Sequence, residues 1–269
     1  MAARGNGDAA GEKHVLAVDV GNTVTRIGVF SAGELLGTWE LTTPERLTAD
    51  EARGSVTQAL YALGLAAPAP SGSILACVVP SLVDVWQCAL AAVCPGARPL
   101  VVGPGLKTGL SMRYDDPSEV GADRVADVVA AREAYGAPVV VVDLGTTTNF
   151  EVVDATGAFA GGIIAPGVQL GARALAAAAA RLPMIELRPP ATAIGRNTRS
   201  AMQSGVVLGE VARIDGLLDR VMAELGEDAP VVLTGDGASA MAALLAHEAS
   251  VDDTLTLRGL WQLWRANQR

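Results

Sequence analysis

Two stretches of this chain share one pattern of apolar and polar positions. Residues 16–30 read LAVDVGNTVTRIGVF and residues 139–153 read VVVVDLGTTTNFEVV. In each, an apolar run meets an Asp, a Gly and hydroxyl residues, and then returns as a second apolar run. A short apolar run bounded by turn residues predicts a buried strand, and a quick return predicts a hairpin. The spacing therefore predicts strands at Val15–Val20, Thr25–Phe30 and Glu34–Leu41, with a turn at Ser31-Ala32-Gly33. Three antiparallel strands in succession form a meander. Apolar positions near helical spacing then predict a helix over 48–64, a strand at Ser73–Val79, a helix at Leu82–Val93 stopped by Pro95-Gly96, and a strand at Arg98–Val102.

Residues 103–120 are irregular, with Pro104, Gly105, Gly109 and Pro117. A helix is expected from near Gly121 to about Tyr135. The order then repeats, with strands at Val139–Val142, Thr147–Val153 and Ala158–Ile164, followed by an Ala-rich helix to about Arg181. A long helix at Thr198–Leu225, kinked near Gly205 and Gly209, leads to a strand at Val231–Leu233. A helix to about His247 and a terminal helix at Thr256–Asn267 complete the chain. A meander followed by alternating helices and strands is a mixed α/β arrangement.

The repetition is more than shared composition. A shift of 124 positions without gaps lays Val18, Asp19, Gly21, Thr23, Val29, Gly33 and Gly37 on Val142, Asp143, Gly145, Thr147, Val153, Gly157 and Gly161. Strand composition alone matches Val and Ile, but does not put Asp, Gly and Thr in phase. We read two similar halves facing across a cleft, a common place for a ligand. Within each loop, Gly lets backbone N–H groups converge and Thr adds hydroxyl donors, which together make a concave anion site. The Asp would hold a cation shared with phosphate oxygens. Two such loops in register could clamp the phosphates of a nucleotide, whereas one loop alone would read as a polar hairpin turn. Arg26 is the nearest basic partner for phosphate in the first loop; it could equally be a solvated strand residue. No GxxxxGK[ST] or GxGxxG follows a strand.

Composition narrows the classes. Of 269 residues, 50% are apolar and only 18% charged, so most of the chain can fold around one large core or two modest ones. The net charge of −9 speaks against a nucleic-acid binder. Three cysteines, Cys77, Cys88 and Cys94, do not make a disulfide framework and point to a reducing, cytoplasmic setting, with Cys88 and Cys94 read as core filling. His14 and His247 lie far apart with no Cys at ligand spacing, which disfavours zinc. Residues 1–12 read as a disordered tail, and no apolar run is long enough to span a membrane.

The two loops resemble those of the acetate and sugar kinase, Hsp70 and actin superfamily. More narrowly, the chain resembles the type III pantothenate kinases, from about Val15 to Asn267. The resemblance rests on DVGNTVTRIGVF at 19–30, on TGL, Tyr114, Pro117 and EVGADR within 108–124, and on VVDLGT at 141–146. Further matches are GGIIAPG at 161–167, RLP at 181–183, IGRNT at 194–198, SG at 204–205 and LTLRGL at 255–260. It implies duplicated ribonuclease H-like (actin-like ATPase) domains, each a β-meander followed by alternating helices and strands. The halves would be 13–118 and 119–269.

The resemblance also implies roles. Asp19, Val20, Gly21, Asn22, Thr23, Val24, Thr25 and Arg26 would form the first ATP phosphate loop, with Asp19 near magnesium. Thr146 would touch ATP, and Asp143 would bind a monovalent cation, potassium or ammonium. Gly121, Ala122, Asp123 and Arg124 would hold pantothenate, with Asp123 the base for its primary hydroxyl. Tyr114 and Thr198 would contribute to that pocket, and the protein would be a homodimer. Read from the residues alone, Asp123 could simply cap a helix and Arg124 could be a surface residue, although Arg's planar fork suits a carboxylate substrate.

The chain departs from the family pattern at three places. The second loop usually reads GTATTFD; here Asn149 replaces a hydroxyl residue, and Glu151 replaces Asp, moving the charge by about 1.5 Å, roughly one C–C bond. The usual TGG of the adenosine motif is Thr234-Gly235-Asp236. If that last position needs positive φ, Asp adopts it at some cost. The expected activity is ATP-dependent phosphorylation of pantothenate to 4′-phosphopantothenate, the first step toward coenzyme A. The alternatives are a catalytically weak homologue with a binding or regulatory role, and a kinase of another small polar alcohol.

Overall fold

The computed structural model describes residues 14–67 and 69–268, so the tail expected at 1–12 lies outside the described residues. The chain forms two compact units, each assembled from separate stretches. Among the described residues, the first comprises 14–108, 121–126 and 256–268, and the second 109–120 and 127–255.

The first unit is built on a sheet of β1 (His14–Val20), β2 (Val24–Ser31), β3 (Glu34–Thr42), β4 (Gly72–Cys77) and β5 (Leu100–Val101), in the order β3-β2-β1-β4-β5. The meander strands β1, β2 and β3 pair antiparallel, and β4 and β5 add in parallel on the other side of β1. Leu16, Val18, Val20, Ile27 and Val29 pack in one core cluster with Val56 and Leu60 of α1 (Ala49–Ala62) and Trp86 and Leu90 of α2 (Val83–Val93). A capping box fixes the start of α1: the Glu51 N–H donates to Thr48 Oγ1, and the Thr48 N–H donates to Glu51 Oε2. Leu257 and Trp261, on the last helix (Leu255–Ala266), reach the sheet at Gly28 and stack on Phe30.

The second unit repeats the plan. Its sheet contains β6 (Val139–Leu144), β7 (Thr147–Val153), β8 (Phe159–Pro166), β9 (Val231–Gly235) and β10 (Ala249–Val251), in the order β8-β7-β6-β9-β10. The pairing senses are those of the first sheet, strand for strand. The valines of β6 alternate between two cores. Val140 and Val142 pack with Ile214, Leu218 and Val221 of α6 (Gly209–Leu225), while Val139 and Val141 pack with Val128, Ala130 and Ala131 of α3 (Ala122–Tyr135). Burial on both faces is why this strand reads as an unbroken apolar run, and each buried Val contributes about 1.5 kcal/mol or more.

The duplicated architecture is as expected, but the ungapped alignment is wrong within one strand. Asp19 pairs with Arg26 and Val20 with Thr25, whereas Asp143 pairs with Asn149 and Leu144 with Thr148. The second hairpin is therefore one residue shorter. The register is restored at the next turn, where Ser31 pairs with Glu34 in the first half but Val153 pairs with Phe159 in the second. Thr23 thus corresponds to Thr146, not Thr147, and Val29 to Val152, not Val153. A shared bulge, at Val29/Phe30 and at Val152/Val153, confirms the corrected register.

Other differences are local. The Ala-rich helix expected to about Arg181 ends at Ala178 as α4 (Val168–Ala178). The expected kinked helix 198–225 is α5 (Thr198–Gln203), one π-helical stretch at Ser204–Leu208 that contains Gly205, and α6, which Gly209 opens. The helix expected up to His247 ends at Ala242 as α7 (Ala238–Ala242). Beyond it the Asp215 carboxylate of α6 accepts the N–H groups of Ala246 and His247, holding that segment out of helical pairing. The short edge strand β10 that follows carries too little apolar pattern to be read from sequence. Cys94 is buried as expected, but Cys88 is exposed on α2, on the side of the helix away from Trp86, Ala89 and Leu90.

Candidate active site

In the first unit, Asp19 is the penultimate residue of β1 and is buried, and residues 21–24 turn the chain. The Gly21 N–H donates to Val24 O at 3.0 Å. The Thr43 N–H donates to Thr23 O at 2.8 Å, and the Thr43 and Thr25 hydroxyls meet at 2.8 Å. Thr25 is thereby fully buried and occupied, while Asn22 and Thr23 are exposed at the tip. Arg26 lies opposite Asp19 and pairs through Nε with Glu40 of β3 at 3.1 Å. The Arg26 side chain is 28% exposed, so it retains solvent-facing surface.

The first turn of α3 belongs to the same unit and carries the GADR motif. The helix starts at Ala122, and the Val125 N–H donates to Gly121 O, so Asp123 lies inside the first turn rather than at the cap. Its Oδ1 accepts the Arg124 N–H at 2.8 Å. A Cβ on Gly121 would stand 2.5 Å from that Oδ1, so glycine there gives the carboxylate its place. Burial pushes the Asp123 carboxyl above its ordinary value, against the Arg124 N–H and guanidinium that pull it down. Arg124 itself is buried, not a surface residue. Gly259 explains the Gly of LTLRGL: its Cα lies directly against the Ala126 backbone, leaving no room for a side chain.

In the second unit Asp143 is the penultimate residue of β6, and residues 145–147 make the tighter turn. The Gly145 N–H donates to Thr147 O at 2.9 Å, and the Gly167 N–H donates to Thr146 O at 3.1 Å, the counterpart of the Thr43 bond. A Cβ on Gly167 would collide with Gly145 O, which accounts for the last Gly of GGIIAPG. Gly235, at φ +84, presses on Leu144 O and would place a Cβ 2.5 Å from Asp143 Oδ1. The Asp236 N–H donates to Leu144 O at 2.6 Å. Positive φ falls on Gly235 and Gly237 and not on Asp236, so the conformational cost expected of that substitution does not arise. Glu151 is fully buried in the place that Gly28 holds in the first half.

Tyr114 is half-buried, its ring 5.3 Å from that of Phe159, and Thr198 is exposed as the first residue of α5. Asn197 caps α5 in a reciprocal arrangement with Ser200, and Gly195 has no room for a side chain beside Ala201, so IGRNT is first of all a rigid helix start. Sequence reading did not single out Thr43 or Glu210, and it placed Gly167 and Gly235 in family motifs without showing the contacts they make. The shift of 124 did hold a signal, since it lays Thr43 on Gly167.

Among the described residues, no group of three or more His, Cys, Asp or Glu side chains stands together as a metal shell. Magnesium typically takes one or two carboxylates plus phosphate oxygens, and the buried Asp19 carboxylate beside the first turn is a donor of that kind. Asn149 Oδ1 is buried without a hydrogen-bond partner, at the strand position opposite Asp143. A neutral carbonyl oxygen beside a carboxylate suits a monovalent cation.

The type III pantothenate kinase family model matches residues 15–220, which span both hairpins, the α3 motif and α5. The chain belongs to the type III pantothenate kinase family. Solved structures support the fold of this family member at low identity. A protein described as a Baf family transcriptional activator from Campylobacter jejuni matches with a TM-score of 0.60 and 19% identity, over 94% of this chain and 98% of its own. The ethanolamine utilization protein EutJ from Carboxydothermus hydrogenoformans matches at 0.58 and 15%, over 95% and 92%. MreB 5 of Spiroplasma citri, bound to AMPPNP, matches at 0.51 and 10%, over 95% and 97%. At these identities the likenesses show a shared two-unit α/β fold.

Proposed function

We propose that this family member transfers the γ-phosphoryl group of ATP to the primary hydroxyl of pantothenate. The observation that carries the proposal is the Asp123 carboxylate, half-buried in the first turn of α3 with its proton affinity raised and Gly121 cleared for it. Phosphoryl transfer needs alignment, charge neutralisation and an acceptor for the alcohol proton. The pantothenate hydroxyl oxygen would bond to the γ-phosphorus, the bond to the β,γ-bridging oxygen would break, and ADP would leave. Asp123 would take the hydroxyl proton, and a carboxylate with a raised pKa suits that task at neutral pH. Arg124, Tyr114 and Thr198 would orient pantothenate, with Arg124 suited to its carboxylate.

The N–H groups of Asn22 and Thr23 and the hydroxyls of Thr23 and Thr146 would hold the phosphates, with Arg26 adding positive charge. Asp19 would hold magnesium, which on binding neutralises the phosphate oxygens. Asp143, with Asn149, would hold potassium or ammonium. The second unit exposes Ile164, Met184 and Ile194, the last at 82%. The homodimer is carried over from the family resemblance, and these residues would be among its contacts. No helix among the described residues is long and apolar enough to cross a membrane.

The test is mass detection of phosphorylated pantothenate after incubation with ATP, magnesium and either potassium or sodium. We expect product, and more of it with potassium. Tight binding of ATP and pantothenate without product would favour a binding or regulatory role. Product from a different alcohol only would overturn the substrate assignment.

A further inference from the structure

The two hairpins are anchored differently, and the difference singles out a helix outside the loops. In the first half, Thr25 finds its hydroxyl partner within the meander, in Thr43. In the second half the residue at the Thr43 position is Gly167, which has no side chain and no room for one. Thr148, the counterpart of Thr25, instead donates to Glu210 Oε1 of α6 at 2.6 Å. Glu210 is 5% exposed and its other oxygen takes the Arg213 guanidinium. Arg213 also donates to Pro166 O at 2.6 Å. The pair Glu210–Arg213 therefore grips β7 at Thr148, one residue beyond the turn, and β8 at Pro166, one residue before the Gly167 whose N–H donates to Thr146 O. Glu210 stands two residues after the π-helical stretch, a local widening of the kind often found at functional sites.

We infer that Glu210 is a positioning residue for the donor nucleotide: it sets the Gly145–Thr147 turn for phosphate through Thr148, with Arg213 holding the Glu210 carboxylate in place. The inference rests on the reading of that turn as a phosphate loop. Its consequence is specific to ATP. Pantothenate recognition, assigned to other residues, does not pass through Thr148.

The experiment is equilibrium binding of magnesium–ATP by calorimetry on the full chain, without turnover, for wild type, Thr148→Val, Thr148→Ser, Glu210→Gln and Arg213→Met. Thr148→Val keeps the side-chain shape and removes the donor. Arg213→Met loosens Glu210 from a half-exposed position and guards against a Thr148 or Glu210 variant that fails to fold. We expect roughly tenfold weaker ATP binding in Thr148→Val and Glu210→Gln, as for loss of a buried hydrogen bond to a charged group. Thr148→Ser should return to within about twofold of wild type, and pantothenate affinity should stay unchanged in every folded variant. Unchanged ATP affinity in Thr148→Val and Arg213→Met would overturn the inference. So would equal losses of ATP and pantothenate affinity that follow melting temperature, which indicate plain destabilisation. Wild type that binds no magnesium–ATP would instead overturn the phosphate-loop reading beneath it.

Discussion

The two hairpins have the same topology and the same penultimate Asp, yet they are dressed for different work. Beside Asp19 stands Arg26, a cation already paired with Glu40 across the meander. Beside Asp143 stands Asn149, neutral and buried with an unpartnered carbonyl oxygen, and next to it the exposed Ile164. The first half brings its own positive charge to the loop, and the second has a neutral oxygen donor where a bound cation would provide that charge. The anchoring differs too. Thr43 locks the first loop from within the meander, whereas the second loop relies on a glycine contact and on Glu210 from α6. Duplication thus kept the frame and let each copy specialise where side chains touch the loop.

The largest test of that division compares Asp19→Asn with Asp143→Asn. Removing Asp19 should lower turnover about 100-fold or more at any monovalent cation, as expected for a lost magnesium ligand. Removing Asp143 should chiefly abolish activation by potassium, measured as the ratio of rates in potassium and sodium. Equal responses of both variants to potassium would erase the proposed division. Next in size is anchoring. Gly167→Ala forces a methyl against Gly145 O and should cost about 3 kcal/mol of stability by denaturant unfolding, whereas Thr43→Ala should cost about 1 kcal/mol. The smallest effect is expected at the pair beside the first loop. Glu40→Gln should change stability by less than about 1 kcal/mol, because that pair is exposed, while Arg26→Gln should raise the KM for ATP several-fold. An unchanged KM for ATP in Arg26→Gln would reduce Arg26 to a strand-pairing residue.

Much of this frame is legible in the sequence, because strand periodicity and turn residues report directly on backbone pairing. The repeated Asp-x-Gly-x-Thr located both loops, and Gly205 and Gly209 marked the π-helical break. What escaped depended on tertiary contact. The one-residue deletion after Gly145 and its compensation before Phe159 cancel in an ungapped comparison, so Thr23 was matched one residue late. Glu210 looks like any polar residue of an amphipathic helix until the fold brings Thr148 to it. The end of α7 is set by Asp215, more than twenty residues earlier. Cys88 sits in an apolar run yet falls on the outer side of α2.

Asp123 offers a pH-resolved check as well. Its carboxyl holds a proton more tightly in the folded chain than in the unfolded one. The associated stabilisation is complete below the ordinary Asp range and is lost as pH rises through the folded value. Asp123→Asn removes that cost, so its melting temperature at neutral pH should equal or exceed that of wild type, with the advantage vanishing in acid.

The most direct test of the central claim is pantothenate-dependent ADP release by wild type and Asp123→Asn under saturating ATP, magnesium and potassium. We expect wild-type release that requires pantothenate, and a fall of about 100-fold or more in a variant that remains folded and still binds both substrates. Release by the variant within a few-fold of wild type would contradict Asp123 as the proton acceptor, and release indifferent to pantothenate in the wild type would contradict the kinase assignment itself.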